Sequence, residues 1–215
     1  MTFTSLYKLL NFLSPFILIM GLGIGLPYFK RLNNIHKGII GYLLMMLLID
    51  MASRFFQYNF GNNLIVLLVY SLVEMLFFVF FYYKFLFKAS HILIKLFSII
   101  AASYIIWELF YFSNNVRQFQ SYAKVADNFV IITLALAFFS EKIHEYKESK
   151  LDSFYLNAVI LIFFSINLIF FLPLNFILNE RTGLYFWLVN LITTVSFYSY
   201  LIYSIIKNGK NFKKA

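Results

Sequence analysis

The chain contains no cysteine, three prolines and nine acidic residues among 215. Without cysteine there is no disulfide framework, no thiol nucleophile and no thiolate metal site. Charge of either sign is scarce, at 13% of residues, where a soluble domain carries roughly 25%. Polar side chains are therefore too few to cover a water-facing surface, a cover that lipid does not require. The prolines, Pro15, Pro27 and Pro173, do not fall at corresponding points of two halves. The inverted three-helix repeat of many transporters thus leaves no trace here.

What the chain has in quantity is apolar sequence: 62% hydrophobic residues and a mean hydropathy of +0.80. Long apolar runs cover 5–29, 38–60, 64–87, 91–113, 124–143, 153–176 and 183–207. Each approaches or exceeds the roughly 20 residues that a helix needs to cross a bilayer core about 30 Å thick. The pattern predicts one all-α domain over 1–215, a bundle of seven transmembrane helices with no separate soluble domain. The first run lacks a basic leader and a small-residue cleavage site, so it reads as a retained helix. The fifth is the weakest, its apolar heart being only Phe129 to Phe139. The loop Gly61-Asn62-Asn63 is so short that helices 2 and 3 are expected to be antiparallel neighbours.

The net charge of +9 could suggest nucleic acid, but the cations are dispersed along the chain. Thirteen lie in or beside alternate loops and the tail: Lys30, Arg31, Lys37, Lys84, Lys88, Lys95, Lys142, Lys147, Lys150, Lys207, Lys210, Lys213 and Lys214. Only Lys8, Arg117, Lys124 and Arg181 fall on the opposite side, and Arg54 lies within a helix. This bias is the signature of membrane topology and predicts an outside N-terminus and a cytoplasmic C-terminus. It speaks for a lipid partner and against nucleic acid. The mixed-charge fifth loop, Glu141 to Asp152, reads as a solvated helix end or a docking surface for a partner.

Ionisable groups inside the spans carry the most information, because each is costly in lipid unless paired, neutralised or hydrated. Asp50 and Arg54 in helix 2 share a face at i, i+4 and can pair. Glu74 lies near the middle of helix 3, and Glu108 lies in the outer half of helix 4, four residues after Tyr104. Asn190 of helix 7 and Asn167 of helix 6 reach a similar depth, and Tyr70 and Tyr104 can furnish walls. Two readings stay open. In one, these residues line an outward-opening pocket for a ligand or ion. In the other, Arg54 locks Asp50 and Glu74 and holds helices 2 to 4 together. One arginine against three carboxylates leaves two negative charges to be offset by a proton, a cationic ligand, a metal ion or water.

Other constellations are plainer. Gly21-x-x-x-Gly25 in helix 1 suits close helix packing. His36, His91 and His144 lie in or beside loops without a spacing that fixes two on one helical face, so no metal site is expected. No lysine sits at mid-depth of the last helix for a retinal Schiff base, and no intramembrane histidines suit a zinc amidase. No nucleophile–base pair appears, so neither an enzyme nor a cofactor is expected.

The runs Asn59-Phe60-Gly61-Asn62-Asn63 and Tyr70-Ser71-Leu72-Val73-Glu74 carry a resemblance. So do Ser121-Tyr122-Ala123 and Ser165-Ile166-Asn167. Together they resemble a largely uncharacterised family of small seven-helix membrane proteins of Bacteroidota, similar to stand-alone membrane sensor regions. The resemblance implies a bacterial inner-membrane location and a signalling role beside sensor histidine kinases. The functional expectation is a receptor or sensor subunit. It would take a small extracytoplasmic ligand or ion near Arg54, Glu74 and Glu108 and signal to a separate partner. The alternatives are a small-solute or proton-coupled transporter and an accessory subunit that regulates another membrane complex or a defence system.

Overall fold

In the computed structural model of the chain, residues 3–61, 63–112, 122–144, 151–174 and 180–211 are described. Seven α-helices account for nearly all of them: α1 Phe3–Tyr28, α2 Asn34–Phe60, α3 Leu64–Phe81 and α4 Ile92–Phe112. After these come α5 Ala123–His144, α6 Leu151–Leu174 and α7 Glu180–Asn211. There is no strand among the described residues, and all seven helices are long and apolar enough to cross a membrane. Helices suit this composition because every backbone N–H and C=O must be satisfied within its own segment when lipid offers no partner. The expected residues Asn62, Arg117, Ser121, Lys147, Lys150, Lys213 and Lys214, with 145–150 of the fifth loop, lie outside the described residues.

Lipid-facing positions explain where the apolar excess goes. Phe12, Leu93, Ile100, Phe110 and Ile169 are each more than three-fifths exposed. Such exposure would be a liability in water and is the required finish of a surface facing hydrocarbon. The chain is a multi-pass membrane protein.

Two compact units divide the chain, one of residues Met1–Met51 and Ile177–Ala215, the other of Ala52–Phe176. In the first, α1 packs along α7. A Cβ built on Gly21 would come within 2.8 Å of Ile202 on α7 and 3.2 Å of Leu43 on α2. One turn on, a Cβ on Gly25 would meet Ile40 at 3.0 Å. The two glycines let three helices close up where a side chain would hold them apart. At one end the unit is tied by polar contacts. His36 is buried, its Nδ1 lies 2.6 Å from Asn33 Oδ1, and its Nε2 lies 2.9 Å from Ser204 Oγ. The Asn33 N–H donates to Asn208 Oδ1 at 3.2 Å.

In the second unit α5 is central, packed against α3, α4 and α6. Val130, Ile131, Leu134, Ala135 and Phe138 of α5 are fully or almost fully buried. They meet a core that includes Met75 and Phe78 of α3, Ile105 of α4 and Phe164 of α6. Phe78 and Phe164 contact edge to face with centroids 5.0 Å apart, a favoured aromatic geometry. The α2–α3 turn closes at Gly61, whose φ of +67° is costly for any residue with a Cβ. Asn63 Nδ2 then donates to Ser53 Oγ at 2.6 Å.

Past Phe81, α3 widens into a π-helical turn, Tyr82–Leu86, closed by the Phe87 N–H donating to Tyr82 O at 2.8 Å. That turn keeps Tyr82 wholly buried. Its hydroxyl donates to Asn157 Oδ1 at 2.5 Å, and Asn157 Nδ2 donates to the Ala135 carbonyl at 3.0 Å. One chain of bonds so joins α3, α6 and α5. Tyr82→Phe removes the donor and strands the Asn157 oxygen. Interhelical hydrogen bonds in membranes average about 0.6 kcal/mol with a maximum near 1.7, so a loss of about 1 kcal/mol is expected. Thermal unfolding in lipid nanodiscs checks this, and an unchanged midpoint refutes it.

Candidate functional site

The second unit contains a buried charged cluster, assembled from α3 and the first turns of α5. Lys124 is the second residue of α5 and is only 3% exposed, while Glu74 of α3 and Asp127 of α5 are both at 0%. The Lys124 ammonium donates to Glu74 Oε2 and to Asp127 Oδ2. Its Nζ also lies 4.1 Å from the centroid of the Tyr70 ring and 5.8 Å from that of Phe164. Aromatic faces add an electrostatic attraction for a cation, and they shut water out of the ion pair.

Helical spacing explains the local arrangement. Lys124, Asp127 and Asn128 stand at i, i+3 and i+4, on one face of α5. Tyr70 and Glu74 are likewise i, i+4 on α3. Glu74 is ten residues into its helix, about 15 Å along the axis at 1.5 Å per residue. The amino end of α5 therefore lies within a lysine's reach of the middle of α3. A third carboxylate sits at that same end of α5. Glu108 of α4 is buried, and its Oε1 accepts from the Tyr104 hydroxyl at 3.1 Å and from the Tyr122 N–H at 3.0 Å. A carboxylate there satisfies a backbone donor at the start of the helix and faces the positive end of its dipole.

Hydrogen bonding in the cluster is incomplete. Asp127 Oδ1, Asn128 Oδ1 and Asn128 Nδ2 are buried and make no hydrogen bond. Asn128 is at 0% exposure. Each such atom costs about 1–3 kcal/mol, so three together mark a place where something else binds or an internal price is being met. Among the described residues no three His, Asp or Glu side chains gather at metal-ligand range.

Of the residues singled out from sequence, Tyr70, Glu74, Tyr104 and Glu108 lie in the α3 and α4 walls of this region. Asn167 is buried on α6, one turn from Phe164. Arg54 is exposed on the part of α2 that belongs to the same unit. Asp50 and Asn190, both half-buried, belong to the other unit, where the Asn190 carbonyl accepts from Thr193 Oγ1 at 2.8 Å.

Sequence reasoning missed Lys124, Asp127 and Asn128. Lys124 stands at the edge of an apolar run and reads as one more loop cation. The signal that could have revealed it is the i, i+3, i+4 polar set followed on the same face by Ile131, Ala135 and Phe138.

No protein-family model matches the chain, nor does any curated protein or solved structure.

Proposed function

We propose that this chain is a membrane-embedded receptor or sensor subunit whose responsive element is the Lys124–Glu74–Asp127 cluster. In this reading the N-terminus is outside, the C-terminus is cytoplasmic, and the protein resides in a bacterial inner membrane. A small ligand or ion reaches the cluster from outside and alters how α5 seats against α3. The single observation that supports the reading is the incomplete hydrogen bonding of a buried ionic group. A purely structural lock gains nothing from leaving Asp127 Oδ1 and the Asn128 amide unbonded. A site that must accept and release an occupant does. A ligand shifts the helices only by the difference in its affinity for two arrangements, and unpaired buried groups supply that difference.

The far end of α5 offers a route to a partner. There Glu141 accepts from the Lys88 N–H at 2.8 Å and faces His91 Nε2 at 3.2 Å. Movement of α5 would be felt directly at the loop between α3 and α4. The test is in-cell crosslinking in the native membrane followed by mass spectrometry. A histidine kinase or other signalling protein should be recovered through the fifth loop or the tail. Its yield should change at least threefold in Glu74→Gln. Self-crosslinks alone would remove the receptor reading.

A second reading, a proton-coupled transporter, draws on the position of Glu74 at mid-length of α3. It predicts solute uptake into proteoliposomes that Glu74→Gln abolishes.

A further inference from the structure

Between Glu74 and Glu108 the sequence holds three lysines, one histidine and no acidic residue. The lysines, Lys84, Lys88 and Lys95, are all exposed where α3 gives way to α4. Lys84 and Lys95 fall just inside the ends of the apolar spans Leu64–Leu86 and Ile92–Tyr111. A lysine so placed runs its stem along apolar surface and carries its ammonium to the membrane boundary, the depth of lipid headgroups. Glu141 of α5 reaches the same end, but its side chain is largely buried. It accepts from the Lys88 N–H and faces His91, inside the bundle.

Two of these ammonium groups are seated on aromatic rings. Lys95 Nζ lies 4.8 Å from the centroid of the Tyr83 ring and donates to Ser90 Oγ at 3.3 Å. The Tyr83 hydroxyl donates to the His91 carbonyl at 2.7 Å, which fixes that ring across the α3–α4 junction. A serine hydroxyl that accepts from lysine keeps its own proton to donate, so Lys95 and Ser90 together offer donors to one anionic group. On the residue after Tyr83, Lys84 Nζ lies 4.8 Å from the Phe80 centroid and 5.6 Å from that of Phe85. An apolar face adjoins both heads. Ile92, Leu96 and Ile99 share the Lys95 side of α4 at i, i+4 and i+7, and they are exposed, as is Phe80 on α3. Cations over rings beside exposed hydrocarbon match a molecule with an anionic head and an apolar tail.

We propose that the α3–α4 junction is a binding site for an anionic phospholipid. Its phosphodiester lies on Lys95, Ser90 and Lys84, and an acyl chain runs along Ile92, Leu96 and Ile99. Charge selects the class. Phosphatidylcholine brings a cation of its own, which three lysines repel, whereas phosphatidylglycerol brings none. A soluble phosphate would match the lysines and leave the apolar face unused. The site stands apart from the receptor reading, since it uses no residue of the Lys124 cluster. An occupied site ties the first turn of α4 to the end of α3 from the lipid side, as Glu141 ties the same loop from within.

Native mass spectrometry of the full chain in detergent, titrated with phosphatidylglycerol or phosphatidylcholine, reads the site. Phosphatidylglycerol should bind more tightly, by about tenfold or more. Lys84→Gln and Lys95→Gln should each weaken its binding about fivefold, the effect of one basic residue beside an anionic headgroup, and together about 25-fold. The double arginine variant should retain it. Lys37→Gln is the matched control, because Lys37 Nζ also lies over a ring, that of Phe29, but in the other unit. It should leave this binding unchanged. The proposal is overturned if the two lipids bind alike, or if the double glutamine variant binds as the parent does. Equal weakening by Lys37→Gln overturns it in favour of diffuse surface charge. Displacement of phosphatidylglycerol by inorganic phosphate overturns it in favour of a soluble anion. Should the double variant fail to fold, the single variants and the lipid preference of the parent decide.

Discussion

Lys124→Met should destabilise the protein by about 3–5 kcal/mol, the range seen when one partner of a buried ion pair is removed. The substitution keeps side-chain length and apolar bulk but takes away the ammonium that touches both Glu74 Oε2 and Asp127 Oδ2. Two buried carboxylates are then left without their counter-charge beneath the Tyr70 ring. The triple variant Lys124→Met/Glu74→Gln/Asp127→Asn removes all three charges together and should recover most of the loss. Chemical or thermal unfolding in nanodiscs distinguishes the outcomes. If Lys124→Met stays within about 1 kcal/mol of the parent, the cluster does not hold α3 to α5.

Gly21→Val is expected to cost about 1–3 kcal/mol, the usual penalty for forcing volume into a filled contact. Its Cβ would come within 2.9 Å of two Ile202 side-chain atoms and 3.2 Å of Leu43. The Ile202 contact includes Cγ1, near the root of the side chain, so a rotation of the tip does not relieve it. Gly23→Ala is the matched control. It lies between the two packed glycines, is exposed, and has nothing within 4 Å of its Cβ. It should be neutral or stabilising by up to about 1 kcal/mol, since glycine is a poor helix former. Equal effects at the two positions would mean that α1 is not seated by Gly21 as described.

The spans were legible because lipid imposes a simple length rule, and the apolar runs had few rivals. Helix ends were less so. The expected second span at 38 begins at Asn34 in the structure, and the seventh, expected at 183, begins at Glu180. Hydropathy fades at the membrane edge while backbone hydrogen bonding continues, so polar turns such as Asn34 to Lys37 remain helical. In the site, Glu74 and Glu108 stood out because a carboxylate inside an apolar run is rare. Lys124 did not, since a cation at the edge of a span is commonplace and its depth depends on where α5 starts relative to α3. That offset is tertiary. The same limit hid Gly209, where a Cβ would meet the Tyr28 ring at 2.8 Å, because its partner lies in α1.

The separation of fifty residues between Glu74 and Lys124 sets a timetable for biosynthesis. At about 5–20 residues per second, the ribosome needs roughly 3–10 s after making Glu74 to deliver its counter-ion. For that interval α3 holds a carboxylate with no lysine beside it, and α5 later arrives carrying charges that lipid alone disfavours. Membrane insertion of α5 is thus coupled to an α3 already in place, so truncations ending before Lys124 should leave the nascent chain dependent on the translocon or on quality-control proteins.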